Sequence, residues 1–452
     1  MDAPTEALAG YAASLTYDEL TPEAIHGAKR CLVDAIACAL GGSSGEPIAM
    51  ARHLARSAIG VPPSRVLVSG EPTTPEMAAF ANAFMIRYLD ANDAYQSKDG
   101  GHPSDSLAAV LAIADATGAT GRETILGVVI AYEISCALIE AESVTLGGFD
   151  QTLHGTISSG LAAGKMLGLD AGRMAQALSL ALVSSVPLRV MREGTLTMWK
   201  SGSSAAVTRN GVFGARLAAL GMTGPADPFL APGGLAAKIG SAPELPRFGG
   251  RGGEFHTTRT NMKPFAAEYH SQAAIWAALE IREAIAGEPV AEVTIYTYEH
   301  AYRRTGSDPA KFDVRDRETA DHSMPYVVAA ALLDGVVGPA QFTQVRIDDP
   351  AIRELIAHTS VREDPALTAG YPGRLGAKVE VRMDDGRTLS AAQGDPKGHA
   401  RNPMSDDELA HKFREYADGV LPSAQVEAAL DRLWSLDDEP DVRALIDGLI
   451  SP

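Results

Sequence analysis

Lys263-Pro-Phe-Ala-Ala-Glu-Tyr-His-Ser-Gln272 is the stretch at which the chain changes its periodicity. Before it, helix follows helix. Thr21-Pro22-Glu23-Ala24 offers an N-cap with proline at the first helical position, and Ile25, Ala28, Leu32, Ile36 and Leu40 follow at helical spacing until Gly41-Gly42. Met77 to Leu89, Ser106 to Ala116, Ile157 to Leu167, Met174 to Val183 and Val207 to Leu220 read as further helices. Thr120-Gly-Arg-Glu123 is a capping box that opens a helix over Ile125–Ile139. Two loops, Pro232-Gly233-Gly234 and Phe248-Gly-Gly-Arg-Gly-Gly253, lead up to the change.

Beyond Lys263 the pattern is mixed. Ala273–Ile285 is helical, while Val290-Ala-Glu-Val-Thr-Ile-Tyr-Thr297 alternates and is β-branched, as a strand requires. Val345-Arg-Ile347 and Ala377–Met383 also read as strands, the latter turning at Asp384-Asp-Gly-Arg387 into Thr388–Ala392. Helices return from Asp406, after Asn402-Pro403. The expected fold is mainly α with an α+β insert. Residues 1–262 and 403–452 would form a large helical domain, and residues 263–402 a smaller α+β lid domain.

Composition narrows the function. The chain has 452 residues, suited to two or three domains at roughly 100–200 residues each. Its formal net charge of -18 repels nucleic acid and anionic lipid, so neither a nucleic acid nor a membrane is an expected partner. An enzyme of this charge that binds an acid must gather its lysines and arginines locally. Cys31, Cys38 and Cys136 lie in apolar stretches and fit neither a disulfide framework nor a metal knuckle. The acidic N-terminus has no signal-peptide core, and the Ile125–Ile139 window is short and interrupted by Glu133, so a cytoplasmic location is expected.

Four segments carry chemistry. Asp90 and Asp93 share a helix face at the end of Met77–Leu89, and His102-Pro103 follows at a loop-to-helix joint. The positive end of a helix keeps such an imidazole neutral and able to accept a proton, with a nearby aspartate to orient it. The plain alternative is a pair of solvated helix-end charges and a structural joint. Arg192, Lys200 and Arg209 stand among Thr, Ser and Gly, which let an anion approach; the alternative is a surface loop with ordinary charges. Lys263 leads to Glu268, Tyr269 and His270 at the change of pattern, where domain boundaries favour small-molecule sites. Arg317-Glu-Thr-Ala-Asp-His322-Ser323, followed by Tyr326, adds an imidazole and a phenol, although a lone histidine is often only a hydrogen-bonded structural ring. Gly249–Gly253 lacks the flanking strand and helix of a phosphate loop, and no His-x-x-x-His pair or carboxylate triad proposes a metal, so no cofactor is expected.

Together these motifs resemble the MmgE/PrpD family in order and spacing: His-Pro-Ser-Asp after Asp-x-x-Asp, Met-Trp-Lys200 followed by Arg209-Asn210, Gly221-Met-Thr-Gly-Pro225, Lys263 to His270, Arg317 to Ser323, and Lys397-Gly-His-Ala-Arg-Asn-Pro-Met404. The likeness covers nearly the whole chain. It implies a helical domain with a lid, a homodimer, no cofactor, and a site between the domains at Asp90, His102, Lys200, Lys263 and the region of His322 and Tyr326. It also implies chemistry of the 2-methylcitrate dehydratase type, a hydro-lyase acting on a small hydroxy di- or tricarboxylic acid. Asp150 follows Gly148-Phe149 where decarboxylase-like members carry His, and Ala94 stands where many carry Thr; both weigh against decarboxylation. On this reading His102 is the general base or acid, oriented by Asp90. Lys200 and Lys263 hold substrate carboxylates, with Asp93, Arg192 and His270 as further contacts, and His322 or Tyr326 is a second proton donor. The rivals are an epimerase or isomerase, a decarboxylase, and an inactive dimeric scaffold.

Overall fold

Thr21 accepts a hydrogen bond from the Ala24 amide at 3.2 Å, and Thr120 and Glu123 cap one another reciprocally, so two 21-residue helices begin where capping chemistry starts them. In the computed structural model, which describes residues 1–285 and 287–452, the first half of the chain is a bundle. It comprises α1 (Ala3–Ser14), α2 (Pro22–Gly42), α3 (Glu46–Arg56), α4 (Pro75–Tyr88), α5 (Leu107–Thr117), α6 (Gly121–Ala141), α7 (Thr152–Met166), α8 (Ala171–Val183) and α9 (Trp199–Ala219). Two small hairpins interrupt it: β1 (Ser64–Arg65) with β2 (Pro72–Thr73), and β3 (Tyr95–Gln96) with β4 (Gly100–Gly101). Small residues let the helices approach closely. A Cβ at Gly211 in α9 would lie 2.7 Å from the Gly160 amide nitrogen in α7, so alanine there would force the two helices apart.

α6 corrects one expectation. It is longer than the Ile125–Ile139 window and apolar enough to cross a bilayer, with a mean hydropathy of 1.8, yet 94% of that stretch is buried inside the protein. Its one deeply buried acid has a structural use. Glu133 accepts from the Gly249 amide at 2.8 Å, the His256 amide at 2.6 Å and His256 Nδ1 at 3.0 Å, tying the glycine-rich loop to the bundle. Burial lowers the His256 pKa, but hydrogen bonds to Glu133 and Glu140 outweigh it and raise it from 6.5 to about 9. The resulting stability is therefore present below pH 6.5 and lost as pH rises through about 9, with a magnitude of about 3 kcal/mol. We expect melting temperature to fall across that window in the native chain and to be flatter in His256→Gln. Parallel curves for the two proteins would refute the assignment.

After α10 (Leu235–Ile239) and α11 (Gln272–Ile285), β5 (Val290–Thr297) enters a four-stranded sheet with β6 (Thr359–Glu363), β7 (Ala377–Met383) and β8 (Thr388–Gln393). The order is β6-β5-β7-β8, with β5 and β6 parallel and the other pairs antiparallel. Val293 and Ile295 stand opposite Val381 and Val379 and are buried. Between β5 and β6 run α12 (Glu299–Thr305), α13 (Arg317–Ala320), α14 (Met324–Asp334), α15 (Gln344–Ile347) and α16 (Pro350–Ala357); α17 (Pro365–Gly370) precedes β7. The expected strand at Val345–Ile347 is the helical turn α15. Residues two apart share a face on a strand but diverge by about 200° on a helix, so an exposed Val345 and a buried Ile347 fit a helical turn and not a strand.

The C-terminal helices α18 (Asp406–Ala417), α19 (Ser423–Trp434) and α20 (Arg443–Asp447) pack back on the bundle. Buried Lys412 of α18 donates to Asp34 of α2 at 2.6 Å, to the Ala91 carbonyl at 2.7 Å and to the Lys263 carbonyl at 2.8 Å.

Candidate active site

α4 ends at Tyr88, and the chain turns sharply at Asp90, whose φ of 53° lies in the left-handed region that aspartate tolerates better than most residues. The turn drives the Asp90 carboxylate inward. There it meets Lys263 Nζ at 2.6 Å, Arg87 Nη1 at 2.9 Å, Lys200 Nζ at 3.5 Å and His322 Nδ1 at 3.5 Å. Asp321 takes Lys200 Nζ on both oxygens at 2.6 Å, His322 Nδ1 at 2.6 Å and Arg317 Nη1 at 3.4 Å. Burial pushes the Asp90 carboxyl upward, but Arg87, Lys263 and Lys200 outweigh it and hold it well below the usual range. Four fixed cations thus face two carboxylates, and with the His322 ring neutral the floor carries a surplus of two positive charges.

His102 is presented by the β3–β4 hairpin, just before the short 3-10 turn Pro103–Ser106. Its Nδ1 lies 2.6 Å from the Asp93 carbonyl oxygen. A carbonyl only accepts, so Nδ1 carries the proton and Nε2 keeps a bare lone pair. Burial, then the charges of Arg87 and Lys263, hold the ring well below 6.5, and it is neutral at pH 7. This differs from the sequence expectation: a main-chain carbonyl, not Asp90, orients the ring, because the Asp90 carboxylate is already taken by cations. The Asp93 carboxylate points away from the cavity. It accepts from Ser104 Oγ at 2.5 Å and Tyr132 hydroxyl at 2.6 Å, and burial raises it to about 7.

A second imidazole, His322, faces the same cavity with Nδ1 on Asp321; burial, then Lys200, bring it down to about 4. The cavity holds about 390 Å³. Arg87, Arg189, Arg192, Arg303, Arg304 and Lys311 line it against four acidic residues, a net positive wall in a chain of charge -18. Arg189 and Arg192 come from the 3-10 turn before α9, and Arg303 and Arg304 from α12, so the two parts of the chain face each other across the opening.

Of the residues singled out in the sequence, Asp90, His102, Arg192, Glu268, Tyr269 and His322 line this cavity. Lys200 and Lys263 lie fully buried beneath it, their ammonium groups matched to Asp321 and Asp90. They are therefore parts of the floor and not free carboxylate hooks. Tyr326 is not at the cavity: its hydroxyl donates to the Gln341 carbonyl and its ring packs beside Phe342. A proton donor tied there cannot reach a substrate, so the second-donor assignment passes to His322 alone. His270 sits one layer back, with Nδ1 hydrogen-bonded to the Tyr298 hydroxyl and its ring against His300. Sequence reasoning passed over Arg303, Arg304 and Lys311, which stand outside the four segments, and did not single out Arg189, which lies in the second of them beside Arg192. The one signal was the clustering of cations in an acidic chain.

Asp90, Asp321 and His322 bring three ligand atoms within 4.8 Å of one another, a spacing that could hold a cation. The cations that meet these groups are the ammonium groups of Lys200 and Lys263 and the Arg87 guanidinium. A divalent ion would have to displace a buried, charge-matched lysine, and the donor set does not fit one.

The family description MmgE/PrpD N-terminal domain matches residues 6–247, and MmgE/PrpD C-terminal domain matches residues 265–436. The 2-methylcitrate dehydratase of Salmonella typhimurium is 30% identical over 457 residues, covering 92% of this chain and 91% of that protein. The 2-methylcitrate dehydratase of Escherichia coli is 30% identical over 451 residues, covering 92% of each. Human cis-aconitate decarboxylase is 27% identical over 466 residues, covering 99% of this chain and 95% of that protein. Two family domains in order over nearly the full length, together with relatives 30% identical over about nine-tenths of the chain, establish that the chain belongs to the MmgE/PrpD family.

Proposed function

We propose that this chain is a lyase that removes water from a small hydroxy di- or tricarboxylic acid, the reaction type for which its dehydratase relatives are named. The observation that carries this reading is the bare Nε2 of a neutral His102 at a cavity walled by arginines. A carboxylate-bearing substrate held by that wall brings an acidic C–H beside its carboxylate to His102. Nε2 takes the proton, and the surplus positive charge of the floor stabilises the enolate-like carboxylate that forms. His322, backed by Asp321, is the second proton carrier, assisting departure of hydroxide. Its low pKa in the free site rises when a polyanion binds, since added negative charge favours imidazolium.

Side chains serve as the Lewis-acid equivalent here, so we propose that no metal is required. Prolonged treatment with a strong chelator should leave turnover unchanged; stoichiometric iron or zinc in active purified enzyme would refute this. The three buried, unpaired cysteines suit a reducing cytoplasm.

Of the three neutral histidines that line the cavity, His102, His300 and His322, the pair His102 and His322 also favours a second reading, a two-base epimerase. Turnover of methylcitrate, citrate, cis-aconitate and iminodisuccinate followed by NMR in D₂O separates the two. A dehydratase yields an unsaturated acid, whereas an epimerase exchanges deuterium at the reacting carbon without losing a leaving group. No reaction with any hydroxy acid of this class would sink the dehydratase reading.

A further inference from the structure

The 3-10 turn Arg189–Arg192 carries two buried guanidinium nitrogens, Nη1 of Arg189 and Nη1 of Arg192, that have no partner among the described residues. Both side chains line the cavity. Unpaired buried donors are costly, and two of them on one turn bordering one cavity describe a place shaped for an acceptor that arrives from outside. No step of the proton transfer uses them.

Arg192 cannot swing away. Asp150, fully buried just before α7, takes Arg192 Nε at 2.8 Å and Nη2 at 3.1 Å, the two-pronged guanidinium–carboxylate geometry that leaves Nη1 wholly unpaired and turned to a ligand. Asp150 is fixed in turn. Its amide donates to the Pro187 carbonyl at 2.8 Å, and its carboxylate accepts from the Thr152 amide at 3.2 Å. The Arg189 amide donates to the Gly148 carbonyl at 3.0 Å, so the turn and the segment before α7 form one stitched wall. Across the opening stands the positive charge of Arg304, which adds to the repulsion that an anion would relieve.

We propose that Arg189 and Arg192 are specificity-determining residues, forming the subsite for a substrate carboxylate remote from the carbon that His102 deprotonates. Asp150 is the positioning residue that aims Arg192. The chain thereby selects acids with three carboxylates over those with two. This rests on the reading of the cavity as a carboxylic-acid site, and it is testable without turnover.

Isothermal titration of the full chain with propane-1,2,3-tricarboxylate and with glutarate compares the two charge counts in compounds that have no hydroxyl to lose. The native chain should prefer the tricarboxylate by at least about tenfold, the scale of one charge-assisted hydrogen bond. Arg189→Met and Arg192→Met should each shrink that preference towards unity while leaving glutarate binding nearly intact. Arg192→Lys keeps the charge pairing with Asp150, so folding is preserved, but it loses the forked second nitrogen and should shrink the preference too. Asp150→Asn should narrow the preference, raise KM for the processed acid and leave kcat nearly unchanged. An unchanged ratio in the folded arginine variants would overturn the proposal, as would an Asp150→Asn chain that weakens both ligands equally. Should the selectivity behave as described while no hydroxy acid is dehydrated, the subsite stands and the dehydratase reading falls.

Discussion

Replacing His102 by alanine should lower turnover by roughly 10²–10⁴-fold, the range for a positioned proton-transfer group. The expected loss is in kcat, with KM changing far less, because the ring carries no charge to hold a carboxylate and the arginine wall is untouched. The side chain is anchored by one hydrogen bond to a main-chain carbonyl and borders an open cavity, so its removal leaves the fold intact. A second measurement follows from its protonation. Because burial and the charges of Arg87 and Lys263 keep the ring unprotonated well below pH 6.5, the acid limb of kcat/KM in the native enzyme should lie below that value. A well-folded His102→Ala chain with near-native turnover would move the base to His322, a second imidazole at the cavity, and His322→Ala would then show the loss instead.

Lys200→Met is the second large effect, and it concerns stability more than affinity. Lys200 is fully buried, with Asp321 on both oxygens at 2.6 Å and Asp90 at 3.5 Å. Removing the ammonium takes from Asp321 its closest cation and leaves it His322 at 2.6 Å and Arg317 at 3.4 Å in a medium that solvates charge poorly, at a cost of up to about 3–5 kcal/mol. That is a large share of the roughly 5–15 kcal/mol that holds a typical protein folded. We expect the urea midpoint to drop sharply in Lys200→Met. It should recover partly in the double variant Lys200→Met with Asp321→Asn, where the orphaned charge is also gone. A surface lysine would show neither effect, so a midpoint within experimental error of the native chain would discard the buried-pair assignment. The sequence alone suggested a milder outcome, a loss of affinity, because a lysine inside a motif looks like a ligand hook until its burial is known.

That contrast shows what kind of information the sequence carried. Helix starts were legible because caps are local: Thr21 with the Ala24 amide, and Thr120 with Glu123, bond within four residues of themselves. The long strands β5 and β7 were legible because several alternations in a row are hard to mistake for a helix. β6 was not: Thr359-Ser-Val-Arg-Glu363 is half exposed and polar at its end, and its pairing with β5 lies 66 residues away. The motif residues around Asp90, His102, Lys200, Lys263 and His322 do converge, yet their partners were not readable. Which carbonyl holds His102, and which carboxylate holds Lys200, depend on contacts between segments more than a hundred residues apart or on a turn with positive φ. Tyr326 was drawn into the site by its place beside a motif. His322 precedes the Ser323 N-cap while Tyr326 lies inside α14, so the two side chains share no helix face and Tyr326 turns to the Gln341 carbonyl instead.

The tie made by Lys412 bears on how the molecule comes into being. Its ammonium gathers the Ala91 and Lys263 carbonyls, next in sequence to Asp90 and on the very residue whose side chain grips it. During synthesis the bundle helices emerge long before residue 412, but the last clamp on the catalytic floor is delivered only when α18 has been made. A nascent chain stalled earlier holds the reactive groups without the strap that fixes their backbone. The two matched family regions are therefore not separable working parts. A fragment ending before α18 lacks the element that closes the floor, even though every proton-carrying side chain is already present.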